Sequence, residues 1–183
     1  MILETNRLIL RPWRETDAES LYEYAKNPLI GPAAGWQVHT SVEYSLQIIQ
    51  TILSSYEIYA VTIKGEDKAI GSVGLMIGER SNLGIGEHEA EIGYWIGVPY
   101  FGQGLIPEAV CELMRYAFDF LLLTMLWCGY FDGNEQSKRV QEKCGFRFYH
   151  TKEEIECPFI NEMRTEHVTC ISKMEWQLFK EGE

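Results

Sequence analysis

The sequence predicts a mixed α/β (α+β) fold: a central, mostly antiparallel twisted sheet of about seven strands with about four helices. Three observations carry this. Short segments rich in β-branched residues alternate in polarity between residues 56 and 96. From Leu105 to about Leu121 the apolar residues Ile106, Ala109, Val110, Leu113, Met114, Ala117 and Leu121 recur at three- and four-residue spacing, which is one helical face. A glycine pair, Gly102 and Gly104, joins the preceding strand directly to that helix. A chain of 183 residues, 46% hydrophobic and 23% charged, supplies one core and is short for two, so a single domain over 1–183 is expected.

Leu8, Ile9 and Leu10 read as a first strand, and Thr16 or Asp17 then caps a helix through about Ala25, ended before Pro28. Pro28, Gly31, Pro32 and Gly35 surround Trp36 in a loop, after which Thr40 or Ser41 caps a helix to about Ser54. Tyr56 to Ile63 and Ala69 to Ile77 form an antiparallel pair around Gly65, with Gly71 and Gly74 marking a bulge or close packing. A polar stretch from Gly78 to Glu87 precedes a central strand in which Ala90, Ile92, Tyr94 and Ile96 alternate with Glu91, Gly93 and Trp95. Beyond the long helix, "TMLWCGY" is a strand, "NEQSKRVQEKC" a helix stopped by Gly145, "FRFYHT" a strand, and "HVTCISKMEWQLF" a long closing strand.

Composition excludes several functions. With 16 Lys and Arg against 27 Asp and Glu, the formal charge of −11 disfavours a phosphate backbone and suits a cationic partner, so no nucleic-acid partner is expected. The apolar run from Tyr116 to Trp127 is broken by Asp119 and Thr124, and the first residues lack a basic region followed by a long apolar one. No membrane partner and a cytoplasmic location follow. Five cysteines, an odd number with no C-x-x-C pair, and four scattered histidines predict neither disulfides nor a metal site.

The segment "IGVPYFGQGLIPEA" sets Gly102, Gln103, Gly104, Leu105 and Ile106 at a helix start, with Pro107 in the first turn. Backbone N–H groups there lack intrahelical partners and sit at the positive end of the helix dipole, so a diphosphate fits. A Walker loop would need lysine where Gln103 stands, and a dinucleotide fingerprint would need glycine where Pro107 stands.

"AEIGYWIGVPYFGQGLIPEA" followed by "NEQSKRVQEKCGF" resembles motifs A and B of the GNAT acetyltransferase superfamily, in its ribosomal-protein (RimJ/RimL-like) branch. "ETNRLILRPW", "GPAAGW" and "IGSVGL" resemble that branch's opening strand, acceptor-side loop and strand before the polar loop. The resemblance implies a GNAT fold splayed at the strand that binds acetyl-CoA. It also implies acetyl-CoA as cosubstrate without a metal, an amine acceptor, and a monomer or homodimer. Ile96, Gly97 and Val98 would hold the pantetheine arm, and Gly102 to Ile106 the pyrophosphate, with Asn134 facing the cofactor from the next helix. Pro99 stands where the wider superfamily has glutamine or arginine.

Acetyl transfer needs a neutral amine, a donor for the developing oxyanion and a proton for the leaving thiolate. Glu91 is the expected base, acting directly or through water, and Ser137 the expected acid in the branch's "N-x-x-S" pattern, with Tyr130 and Tyr149 in reserve. Trp36 and His39 are the expected acceptor contacts, whereas Trp13, Trp95, Trp127 and Trp176 read as core. An α-amine of pKa about 8 is about one-tenth neutral at pH 7, against roughly one lysine in 2,500, a gap of about 3 kcal/mol. An N-terminal acceptor asks less of the base, and with the resemblance to the ribosomal-protein branch a protein N-terminus is the expected acceptor. The alternatives are a small amine such as an aminoglycoside or polyamine, and a non-catalytic acyl-CoA-binding module that would not need Glu91 or Ser137.

Overall fold

The computed structural model describes residues 1–181, so the last two residues of the expected domain lie outside the described residues. The chain runs β1 (Leu3–Glu4), β2 (Leu8–Pro12), α1 (Ala18–Ala25), α2 (Val42–Ile48), β3 (Ile58–Ile63), β4 (Gly71–Ile77) and β5 (Glu89–Ile96). There follow α3 (Leu105–Asp119), β6 (Met125–Phe131), α4 (Glu135–Lys143), β7 (Arg147–Cys157), β8 (Glu162–Ser172) and α5 (Lys173–Glu181). The strands form one sheet in the order β1-β2-β3-β4-β5-β6-β8-β7. Every neighbouring pair is antiparallel except β5 and β6.

The architecture is the mixed, mostly antiparallel one expected, with eight strands and five α-helices among the described residues. The additional helix corrects the reading of the C-terminus. The closing strand stops at Ser172, whose hydroxyl bonds the Glu175 carboxylate at 2.7 Å while Glu175 accepts the Ser172 N–H at 2.9 Å. That reciprocal cap starts α5 and places Trp176 in the core. The Ser41 hydroxyl caps α2 by accepting the Tyr44 N–H, and α2 then widens into a π-type turn, Ile49–Leu53.

Alternation along each strand divides the sheet between two helical layers. Val61, Val73, Ile92 and Leu126 face α3, whose Ala109, Val110, Leu113, Met114 and Ala117 are buried against them. Each large side chain so buried contributes about 1.5–3 kcal/mol relative to exposure. On the other face Ala60 and Trp13 pack with Leu21 and Ala25 of α1 and with Ile49. Gly71 is a position of close packing, since a Cβ there would stand 2.4 Å from the Trp95 carbonyl oxygen.

One ion pair is buried in this second layer. Arg11, 3% exposed, donates to both Asp17 carboxylate oxygens at 2.8 and 2.7 Å, and to the Asp67 and Pro12 carbonyls. It ties β2 to the start of α1.

Candidate active site

The parallel ladder between β5 and β6 covers three residue pairs, Glu89↔Met125, Ala90↔Leu126 and Glu91↔Trp127. Both strands continue, to Ile96 and Phe131, without pairing to each other. The sheet thus opens into a wedge edged by backbone polar groups, which an extended ligand carrying amides could pair. The Cys128 thiol closes the apex by donating to the Ile92 carbonyl at 3.2 Å. Burial, reinforced by the charge of Glu91, pushes that thiol far above its ordinary range, which removes it as a nucleophile.

The glycine loop stands at the mouth of the wedge. Gly102 and Gly104 have φ of 74° and 73°, left-handed values that side chains avoid, and Gly104 is the N-cap of α3. Leu105 and Ile106 occupy the first two helical positions, so their N–H groups have no intrahelical acceptor, while their side chains are buried and fix the turn. Pro107, at the third position, lacks the next donor. Gln103 turns its side chain back to the Pro99 carbonyl at 2.9 Å.

Arg7 braces this loop from below, a contact that the sequence reading missed. Its guanidinium donates to the Gln103 carbonyl at 3.1 Å and pairs with Glu108 at 2.6 Å. Burial alone would raise the Glu108 carboxyl, but bonds from the Thr5 hydroxyl and from the Arg7 backbone and side chain outweigh it and hold it low. The cation fixes the loop to the β1–β2 turn, with no signal in local spacing to announce it.

Of the three residues expected beside the pantetheine arm, Gly97 spends its N–H on the Ile70 carbonyl at 2.8 Å, towards β4. It serves packing: a Cβ there would stand 2.6 Å from the Tyr24 ring. Ile96 ends β5 on the wedge, and Val98 opens the short 3-10 turn that leads to the glycine loop.

Glu91 and Ser137 lie on opposite sides of the sheet plane. Glu91 accepts the Ser81 hydroxyl at 2.7 Å, which orients its carboxylate. Ser137, in the first turn of α4, has its Oγ 2.9 Å from the Tyr94 hydroxyl and 3.2 Å from Gln141 Nε2. Gln141 donates into the serine oxygen, and the Tyr94 hydroxyl also donates to the Ser137 carbonyl at 3.1 Å, so together they fix the serine hydroxyl in place. Burial pushes the Tyr94 hydroxyl well above 10, so it remains a donor throughout the neutral range. Tyr94 spans the wedge from β5 to α4; alternation marked it as an inward residue and said nothing of this bond. Asn134 caps α4 by accepting the Ser137 N–H at 3.1 Å and donates to the Ala33 carbonyl at 3.2 Å, so it also anchors the loop before Trp36.

That loop lies against the opposite face of β5. Trp36 packs edge-on to Trp95 and to His39, at ring separations of 6.2 and 5.4 Å. His39 is buried, with Nδ1 2.8 Å from the Ser45 hydroxyl, and desolvation lowers its pKa. It supports Trp36 and does not line an open surface. Beside the loop, Leu29, Ala33, Phe101, Phe131, Asn134 and Arg164 line a solvent-open hollow of about 660 Å³. Arg164 lies over the Phe131 ring and donates to the Pro32 carbonyl. Tyr130 and Tyr149, the reserve acids, contact His167 and Trp127 instead.

The family pattern described as an acetyltransferase (GNAT) domain matches residues 7–147. The uncharacterized N-acetyltransferase YoaA of Bacillus subtilis (strain 168) is 29% identical over 151 residues, covering 80% of this chain and 82% of its own. Among solved structures, an acetyltransferase (GNAT family) from Bacillus anthracis superposes with a TM-score of 0.83 at 23% identity, covering 95% of this chain and 99% of its own. The ribosomal-protein-S5-alanine acetyltransferase from Vibrio fischeri gives 0.74 at 20% identity, with 96% and 98% covered.

Proposed function

Since the chain belongs to the GNAT acetyltransferase family and is thereby an acyltransferase using acetyl-CoA as cosubstrate, we propose that its acceptor is the α-amine of a protein N-terminus. The observation that carries the donor site is the ladder between β5 and β6 stopping after three pairs beside the unpartnered N–H groups of Leu105 and Ile106. The wedge takes the pantetheine arm and the helix start takes the pyrophosphate, through backbone groups that do not require the side chain that Pro99 replaces.

Glu91 orders the incoming amine on one side of the sheet, and Ser137 gives its proton to the leaving sulfur on the other. An acceptor of about pKa 8 asks less of the base than lysine does. The open hollow beside Phe131 suits a peptide end entering from solvent, and the excess of acidic residues favours a cation. The fold neighbour that acts on an S5 alanine supports the same class of acceptor.

Calorimetry should give a 1:1 heat with acetyl-CoA, and thiol release should follow addition of a hexapeptide beginning with alanine or serine. Heat without thiol release from any of these peptides, spermidine or kanamycin would select the non-catalytic module. Preference for spermidine or kanamycin would select the small-amine reading. Tyr94→Phe removes one hydrogen bond of about 1 kcal/mol from Ser137. Its kcat should fall about 5-fold with the acetyl-CoA Kd unchanged; an unaltered kcat would show that the Tyr94 bond does not position Ser137 for the reaction.

A further inference from the structure

Glu166 is a half-buried carboxylate that the sequence reading passed over and the mechanism above does not use. It lies on β8 opposite Phe131 of β6, on the sheet face that also carries Glu91 and Trp95. Its side chain crosses Gly129: a Cβ on that glycine would stand 2.3 Å from Glu166 Oε1. No hydrogen bond or ion pair reaches this carboxylate among the described residues, although Arg7, Arg11, Lys68 and Arg164 all have carboxylate partners of their own.

Gly129 lies on β6 two residues past the last ladder pair, where β6 borders the wedge, and Glu91 lies on β5 at that last pair. The two strands that part here therefore each have a carboxylate on the acceptor face, Glu91 from β5 itself and Glu166 laid over β6. We propose that Glu166 is a second catalytic carboxylate, which binds the acceptor ammonium together with Glu91 and takes its proton before attack. This rests on the amine-acceptor reading above.

The ammonium loses one proton to Glu166, and the neutral nitrogen forms the C–N bond at the thioester carbonyl. The C–S bond breaks, the sulfur takes the Ser137 hydroxyl proton, and the second nitrogen proton restores that hydroxyl. The products are the amide, the free thiol and one proton held by Glu166.

The surroundings suit a base matched to an amine. Burial, and then the charge of Glu91, raise the Glu166 carboxyl, against which Lys152 of β7 acts in the opposite direction. On the same face Arg164 is held by Glu162 and the Pro32 carbonyl, while the Cys128 thiol, itself pushed up, lies on the opposite face of β6. A carboxylate with a raised pKa accepts a proton from an amine more readily than one at its ordinary value.

The experiment is steady-state kinetics of the full chain on the alanine-initiated hexapeptide, with calorimetry for acetyl-CoA. Glu166→Gln should lower kcat/KM for the peptide about 100-fold, at the low end of general-base effects, while the acetyl-CoA Kd stays within 2-fold. In the native enzyme kcat/KM should fall as pH drops through the titration of Glu166, and this limb should disappear in the glutamine variant. Glu166→Asp should recover part of the rate. Gly129→Ala provides a test with Glu166 intact, because the added methyl displaces the carboxylate's tip, and it should lower kcat/KM at unchanged acetyl-CoA affinity. Glutamine or alanine variants with native kcat/KM and an unshifted pH limb would overturn the role of Glu166 while leaving the acetyltransferase reading in place. Loss of acetyl-CoA heat in the native protein would instead overturn that reading.

Discussion

Replacing Gly104 by valine is expected to weaken acetyl-CoA binding about 1,000-fold. The residue caps α3 with φ of 73°, which a β-branched side chain reaches only at a cost of about 1–2 kcal/mol. Relaxing that strain turns the first helical turn away from the loop and withdraws the N–H groups of Leu105 and Ile106. Two charge-assisted hydrogen bonds at about 2 kcal/mol each account for the expected factor. A Cβ there would stand 3.7 Å from Arg7 Nη2, an ordinary contact, so the effect comes from the backbone and not from a clash. Gly65→Val is the control, since that glycine has φ of 87°, has open space around it and lies in the β3–β4 turn. Both variants should lose comparable stability in urea, and calorimetry should show lost acetyl-CoA binding in Gly104→Val alone. Equal affinity in the two would mean that the loop does not hold the diphosphate.

The contrast between these two glycines shows what the sequence could and could not tell. The loop was legible because strand, glycine pair and amphipathic helix follow one another, and α3 was legible because a single face repeats from Ile106 to Ala117. The end of the chain was misread although it carried a signal. Ser172 and Glu175 are spaced as a capping box, but the β-branched run before them outweighed it. Strand β1 is two residues long and too short for any periodicity to show.

Other features depend on tertiary order alone. Arg7 reaches the glycine loop because β2 starts beneath it, and Tyr94 meets Ser137 because α4 packs across the wedge. Glu166 shares a sheet face with Glu91 because β8 pairs with β6 ahead of β7, an order that no local pattern states. His39 was legible as a residue near Trp36 but not as a buried one, since its bond to Ser45 comes from the way α2 folds back.

Asp17→Ala is expected to lower the unfolding free energy by about 3–5 kcal/mol, because it leaves a buried guanidinium without its main counter-charge. Asp17 is 5% exposed, takes two bonds from Arg11 and also accepts the Arg14 N–H at 2.9 Å. Asp67 cannot take over: its side chain is 75% exposed, where an ion pair contributes about 1 kcal/mol at most. In urea the midpoint should drop for Asp17→Ala with little change in slope, and by a fraction of that amount for Asp67→Ala. Adding Arg11→Met to Asp17→Ala should restore part of the loss, since removing both charges also removes the desolvation cost. A loss near 1 kcal/mol, with no recovery in the double variant, would show that solvent reaches the pair. The same variant bears on function, because α1 carries the Ala25 carbonyl that accepts the His39 N–H at 3.1 Å, and His39 supports Trp36. Loosening α1 should therefore raise the KM for the acceptor while the donor site on α3 keeps its affinity.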